Sequence, residues 1–146
     1  MGLDMYLKGK RYLSEYNEVT KPLRTKINEA MQGPGFLPVN QVEAEAMYWR
    51  KANAIHDWFV QNCQGGLDEC QETAVDRDQL RALLKVCKEV GATKNPTLLP
   101  TAPGFFFGNT DYDDYYYDTI AHTAARLELL LSEEFDSWDF YYQASW

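Results

Sequence analysis

The two ends of the chain alternate between apolar and polar residues, whereas the long central stretches repeat with helical spacing. The alternating apolar residues are Leu3, Met5 and Leu7 near the start and Trp138, Phe140 and Tyr142 near the end. A period of two is typical of a strand that buries one face. We therefore expect a first strand over residues 2–8 and a last strand over 137–143. The last strand is expected to pair with the first or with a second strand over residues 42–50.

Between these strands, the apolar spacing predicts helices. One begins at Thr20-Lys21-Pro22 and ends before Gly33-Pro34-Gly35, and a second covers residues 52–63. A third is predicted from a capping box, Asp76 to Gln79, to a terminal glycine, Gly91. A fourth runs from about Asp111 to Glu134, after a Pro- and Gly-rich loop in which Phe105-Phe106-Phe107 is predicted to form a short buried strand.

These elements predict an α+β fold in one globular domain, residues 1–146. A small sheet of about three strands, including the N- and C-terminal ones, packs against three to four helices. A chain of 146 residues is long enough to bury a real core.

The charge of the chain restricts its partners. Asp and Glu number 22 against 14 Lys and Arg, a formal charge of −8, which disfavours direct nucleic-acid binding driven by net charge. The acidity is concentrated after residue 51, whereas residues 1–51 hold eight bases and six acids. No apolar stretch is long enough to span a bilayer and no secretory signal is visible, so we expect a cytoplasmic protein with three reduced cysteines.

The richest candidate site lies where the second strand meets the second helix. It combines aromatic faces, two cations, an amide and an imidazole, at Tyr48, Trp49, Arg50, Lys51, Asn53 and His56. The aromatic rings would stack on a base, the cations would hold phosphate, and the helix N–H groups would add to an anion site. The alternative is that the aromatic residues are core and that the cations pair with nearby acids.

A second candidate is an acidic, tyrosine-rich interaction surface at the start of the fourth helix. Its residues are Asp111, Tyr112, Asp113, Asp114, Tyr115 and Tyr117. Three successive tyrosines cannot all face one core, because a helix turns by about 100° per residue. At least one ring is therefore expected to be exposed, as in many binding surfaces.

Catalytic and metal motifs fail on spacing. Neither His56 nor His122 is followed two residues later by Ser or Thr, as a two-histidine phosphodiesterase requires. An EF-hand loop starting at Asp111 would need Gly and Glu where Tyr116 and His122 stand. No phosphate loop, dinucleotide fingerprint or nucleophile elbow occurs. We therefore expect no metal, no cofactor and no catalytic residue, although an enzyme of unrecognised type stays open.

Four stretches of the chain carry a resemblance. They are MGLDMYL (1–7), YWRKANAIHDWFV (48–60), LLPTAPGFFFGNTDYDDYYYD (98–118) and WDFYYQASW (138–146). Together they resemble an uncharacterised family of proteins encoded by phages and prophages. The resemblance implies a small intracellular phage product in an infected host cell and brings no catalytic residues with it.

Three functions follow as hypotheses. The first is a non-enzymatic phage accessory protein that binds a small nucleotide-type ligand and sequesters a host immune signal, as counter-defence. The second is an acidic inhibitor that binds a host defence protein or imitates nucleic acid, and the third is an unrecognised enzyme. The sequence leaves the oligomeric state open.

Overall fold

The computed structural model describes residues 2–32 and 37–146, and it shows an α+β fold. In chain order its elements are β1 (Asp4–Tyr12), α1 (Thr20–Met31), β2 (Gln41–Arg50), α2 (Asn53–Cys63), β3 (Thr73–Val75), α3 (Arg77–Thr93), α4 (Asp114–Leu130) and β4 (Asp139–Ser145). Short 3-10 turns cover Pro96–Leu98 and Glu133–Phe135. The predicted end of the first helix at Gly33-Pro34-Gly35 lies outside the described residues.

The four strands form one antiparallel sheet in the order β2-β1-β4-β3. The N-terminal strand β1 is central, because it pairs with β2 on one side and with β4 on the other. Of the two partners expected for the last strand, the first strand is the one with which it pairs. The fourth strand, β3, was not predicted, since three residues are too short to show an alternation.

One face of the sheet carries the core. Met5 and Leu7 of β1, Trp49 of β2 and Phe140 and Tyr142 of β4 are buried on this face. Helices α2, α3 and α4 supply the apolar residues that cover it. These are mainly Ile55, Phe59, Leu80, Leu83, Cys87, Val90, Ile120 and Leu127.

Burial raises the pKa of the Cys87 thiol to about 12, and the three cysteines are free.

The opposite face of the sheet carries charged and tyrosine side chains, and we call it the open sheet face. Its cross-strand rows are Arg50–Asp4–Ser145, Tyr48–Tyr6–Gln143, Glu45–Lys8–Tyr141 and Glu43–Lys10–Asp139. Residues of opposite charge are thus in register across β1 and β2 in three of the four rows. Pairs of this kind stabilise one register over a slipped one.

Three local predictions are corrected by the structure. Helix α3 runs past Gly91 to Thr93, and Lys94 takes the left-handed conformation that ends it, with φ of 55°. The predicted strand at Phe105–Phe107 is a turn, with the Phe105 ring almost fully exposed. Strand β1 continues past Gly9 to Tyr12, because β2 pairs with it along its whole length.

The capping box of α3 is confirmed. The Asp76 carboxylate accepts from the Gln79 backbone N–H at 2.8 Å, and the Gln79 side chain accepts from the Asp76 N–H at 2.9 Å. Two donors that lack helical partners are satisfied in this way.

Asp76→Ala is expected to lower the free energy of unfolding by about 1 kcal/mol, because the cap acceptor is lost. Asp76→Asn keeps an acceptor oxygen and should change stability by only a few tenths of a kcal/mol. Urea denaturation followed by circular dichroism measures both. Equal losses in the two variants would contradict the assignment of the cap.

Candidate functional site

The junction of β2 and α2 places a lysine in a strained backbone conformation. Lys51 lies between the two elements with φ of 52°, in the left-handed region that costs a non-glycine residue roughly 1–2 kcal/mol. Its N–H donates to the Leu3 carbonyl at 2.8 Å, which fixes the junction against β1. Gly108 lies against it, and a Cβ there would come 3.1 Å from the Lys51 Cβ. Gly108 also has φ of +84°, so this position requires glycine on both grounds.

Helix α2 begins at this junction with no side-chain cap. Its N-cap residue is Ala52, which has no acceptor, and no other side chain among the described residues caps it. The first N–H groups of any helix lack partners within that helix. Here the first-turn residues Asn53, Ala54 and Ile55 are buried, and their N–H groups donate to no side-chain cap among the described residues.

Asn53 anchors the loop that faces α2. Its amide nitrogen donates to the carbonyls of Phe107 at 3.0 Å and Asn109 at 2.8 Å. Its side-chain oxygen accepts from the Ala102 N–H at 3.1 Å. Because Asn53 is only 3% exposed, a single buried side chain holds two ends of one loop. The Asn53 side chain was predicted to contact a ligand, but all of these hydrogen bonds join it to the loop.

The first turn of α4 lies beside this loop. Asp113 caps the helix by accepting from the Tyr116 N–H at 3.0 Å. The Tyr115 hydroxyl donates to the Arg50 carbonyl, which joins α4 to the end of β2. Tyr116 is buried and donates to the Leu99 carbonyl at 2.7 Å, and burial raises the pKa of its hydroxyl.

These segments enclose a pocket of about 280 Å³. One wall is formed by residues 50–55, with the cations Arg50 and Lys51 and the uncapped turn of α2. The other wall comes from the loop and from α4. It comprises Thr101, Gly108, Asn109, Asp111, Asp113, Tyr115, Tyr116, Thr119 and Ile120.

The pocket joins parts of both sets of predicted site residues. Arg50, Lys51 and Asn53 of the first set line it together with Asp111, Asp113 and Tyr115 of the second. Sequence spacing gave no sign of this meeting, since some 60 residues separate the two segments. Thr101, Thr119 and Ile120 were missed because nothing in the sequence distinguishes them from ordinary loop and core residues.

The remaining residues of the first set lie elsewhere. Trp49 is buried against Phe59 and donates from its indole nitrogen to the Thr123 hydroxyl at 2.8 Å. The proposed stacking of a base on Trp49 is therefore wrong, because the ring is core. Tyr48 lies on the open sheet face, where its hydroxyl donates to Asp4.

His56 is also part of the core. Its Nδ1 lies 2.6 Å from the Tyr142 hydroxyl and its Nε2 lies 2.9 Å from an Asp68 carboxylate oxygen. The other Asp68 oxygen accepts from the Trp146 indole at 3.0 Å. A neutral ring protonated at Nε2 satisfies both contacts, with Tyr142 as donor to Nδ1. The chain of bonds fixes the C-terminal strand to α2, so His56 is not available to a ligand in the pocket.

The tyrosines of the second set make contacts within the chain, although Tyr112 and Tyr115 remain exposed. Tyr117 donates to the Lys94 carbonyl at 3.2 Å, and the Lys94 ammonium lies over its ring. The Tyr112 hydroxyl accepts from the Thr101 N–H at 3.3 Å. Tyr115 is the most exposed ring of the Tyr115–Tyr117 run, as helical geometry predicts. Asp114 is exposed in the first turn of α4.

Comparison with protein-family models, with curated proteins and with solved structures finds no match to this chain. Within residues 2–32 and 37–146, no group of three His, Cys, Asp or Glu side chains is placed to hold a metal ion. In the same part of the chain, no helix is both long and apolar enough to cross a membrane.

Asn53→Ala is expected to lower the free energy of unfolding by about 2–3 kcal/mol, because it removes a buried amide that makes three hydrogen bonds to the loop backbone. Hydrogen exchange at Ala102 and Phe107 should accelerate. Asn62→Ala is the matched control, since that amide is exposed and donates only to the Trp58 carbonyl one turn earlier. Similar losses in the two variants would show that Asn53 does not anchor the loop.

Proposed function

We propose that the protein is a non-enzymatic binding protein whose pocket between α2 and α4 holds a small nucleotide-type ligand. The observation that carries this proposal is the composition of the pocket wall. Two cations lie beside three buried helix residues whose N–H groups receive no cap, and an aromatic ring and two carboxylates lie across from them. The cation wall suits an anionic group of the ligand. The wall with the aromatic ring and the carboxylates suits a ligand ring that carries hydrogen-bond donors.

The phosphate end of the ligand would lie against α2. Arg50 offers a planar fork that matches two phosphate oxygens, and Lys51 offers a point charge. The helix dipole adds a partial positive charge at the same place. None of the lining residues is a cysteine or a histidine, so the lining offers neither a thiolate nor an imidazole.

The ring and sugar of the ligand would lie against α4. Tyr115 provides an exposed aromatic face, in place of the buried Trp49. The Asp111 carboxylate provides an acceptor for hydroxyl or amino groups of the ligand. One oxygen of Asp113 caps α4, and its second oxygen provides another acceptor. The resemblance to phage-encoded proteins supports a role in withdrawing a host nucleotide signal during infection.

Native mass spectrometry of freshly purified protein, followed by analysis of the small molecules released on denaturation, tests the proposal. A retained nucleotide identifies the ligand, and titration of the stripped protein with that nucleotide gives its Kd. If none is retained, adenosine and guanosine 5′-monophosphates are titrated while the NMR signals of Ala52 to Ile55 and Tyr115 are followed. Signals that do not move with either compound would refute the proposal.

Arg50→Ala is expected to weaken nucleotide binding about 10- to 100-fold, the effect of losing a charge-assisted pair to phosphate. Arg81→Ala is the matched control, since it removes an equal charge from an exposed pair with Asp78 on α3. Isothermal titration calorimetry compares the two variants. An equal loss of nucleotide affinity in both variants would show that Arg50 acts only through the net charge of the protein and not by direct contact.

Lys51→Gly separates binding from stability. Glycine adopts the left-handed conformation without the steric cost that lysine carries, although it loses more entropy on folding. The free energy of unfolding should therefore stay within about 1 kcal/mol of the original. Nucleotide affinity should fall about tenfold or more as the ammonium is lost. Retained affinity in calorimetry would exclude Lys51 from the site.

A further inference from the structure

The open sheet face holds a groove that is separate from the pocket. It measures about 410 Å³ and lies over β1, between the edge strand β2 and the C-terminal strand β4. Its side chains include Tyr6 and Lys8 from β1, Glu43 and Glu45 from β2, and Gln143 from β4. No part of the proposed function uses these residues.

The lysines of this face are drawn away from their cross-strand partners. Register alone would pair Lys8 with Glu45 and Lys10 with Glu43. Instead, Glu72 from the loop before β3 binds both ammonium groups, at 2.9 Å from Lys8 and closer still to Lys10. These contacts raise the pKa of Lys10 and lower the pKa of Glu72.

The two glutamates of β2 are therefore left with little compensation. Glu43 lies 4.0 Å from Lys10, and Glu45 forms no ion pair with any described residue. Both side chains are exposed, on an edge strand, in a chain of net charge −8. The groove thus presents Glu45 without an ion pair among the described residues and Glu43 with only a long one, beside the Tyr6 ring, which itself lies 5.3 Å from the Tyr48 ring.

We propose that this groove is a docking site for an extended, arginine-bearing segment of a basic protein partner. Glu43 and Glu45 stand two residues apart on one face of a strand, a spacing of about 7 Å. Alternate residues of an extended partner segment have the same spacing, so two arginines at alternate positions can meet the two carboxylates. Guanidinium groups also stack on tyrosine faces, and the Tyr6 ring lines the groove, which favours arginine over lysine.

The acidic charge of the groove favours a basic protein segment over nucleic acid. A phosphate backbone would meet Glu43 and Glu45 and be repelled, and the field of the whole chain adds to that repulsion. A cationic segment is attracted by the same field before contact.

The probe is the acetylated, amidated hexapeptide Thr-Arg-Thr-Arg-Thr-Arg, titrated at low salt while backbone NMR signals are followed. Shifts should concentrate at Tyr6, Lys8 and residues 43–48, and the uncharged citrulline analogue should not bind. Glu43→Gln with Glu45→Gln should weaken binding about tenfold. Absence of binding, or shifts spread over the whole acidic surface, would overturn the proposal.

Two further variants separate the groove from general acidity. Glu133→Gln with Glu134→Gln removes the same charge far along the chain and should change the affinity less than twofold. Glu72→Gln should weaken binding about threefold although Glu72 does not line the groove, because Lys8 and Lys10 are released to pair with Glu45 and Glu43. The proposed site would be contradicted if the Glu72 variant bound the peptide with the original affinity. It would also be contradicted if the Glu133 and Glu134 control bound the peptide as weakly as the groove variant. Thermal unfolding of each variant confirms that it is folded.

Discussion

The pairing of β1 with both β2 and β4 is the constraint on which the rest of the structure depends. The first strand of the chain is central in the sheet, so the sheet is complete only when the last strand adds to it. Contacts between residues so far apart in sequence cost loop-closure entropy, which the buried face of the sheet must offset. The stacking of Tyr142 on Phe59, with ring centroids 3.9 Å apart, and the His56 contacts then fix the last strand to α2.

The same strand positions the pocket. The backbone of Leu3, just before β1, accepts from Lys51 and donates to the Phe106 carbonyl at 3.0 Å. One residue thus joins the β2–α2 junction to the loop opposite, and Asn53 adds the second connection to that loop. The pocket exists because these contacts hold two distant segments at a fixed separation.

Local patterns predicted the elements of the fold, but not the tertiary contacts that build the site. The capping box at Asp76 and the alternation at Phe140 depend on neighbours in sequence, and both are confirmed. The pocket depends on a meeting between residues 50–55 and 101–120, which no periodicity reveals. Trp49 shows how far local sequence can predict a role. In the sequence, its indole beside two cations is typical of a ligand-stacking residue. Only its packing against Phe59 and its hydrogen bond to Thr123 identify it as core. Gly91 shows the reverse case, because α3 continues past this typical terminal residue and ends at Lys94 in the left-handed conformation.

Arg50 lies between the two faces of the molecule, and its present partner is a weak one. Its guanidinium lies 2.8 Å from an Asp4 oxygen on the open sheet face, while the residue also lines the pocket. Half of the side chain is exposed, so the ion pair contributes little to stability. A phosphate in the pocket would compete with Asp4 for Arg50 on favourable terms, because the helix N–H groups and Lys51 act there together. In the proposed site, phosphate binding by Arg50 would thus require only the exchange of an exposed ion pair.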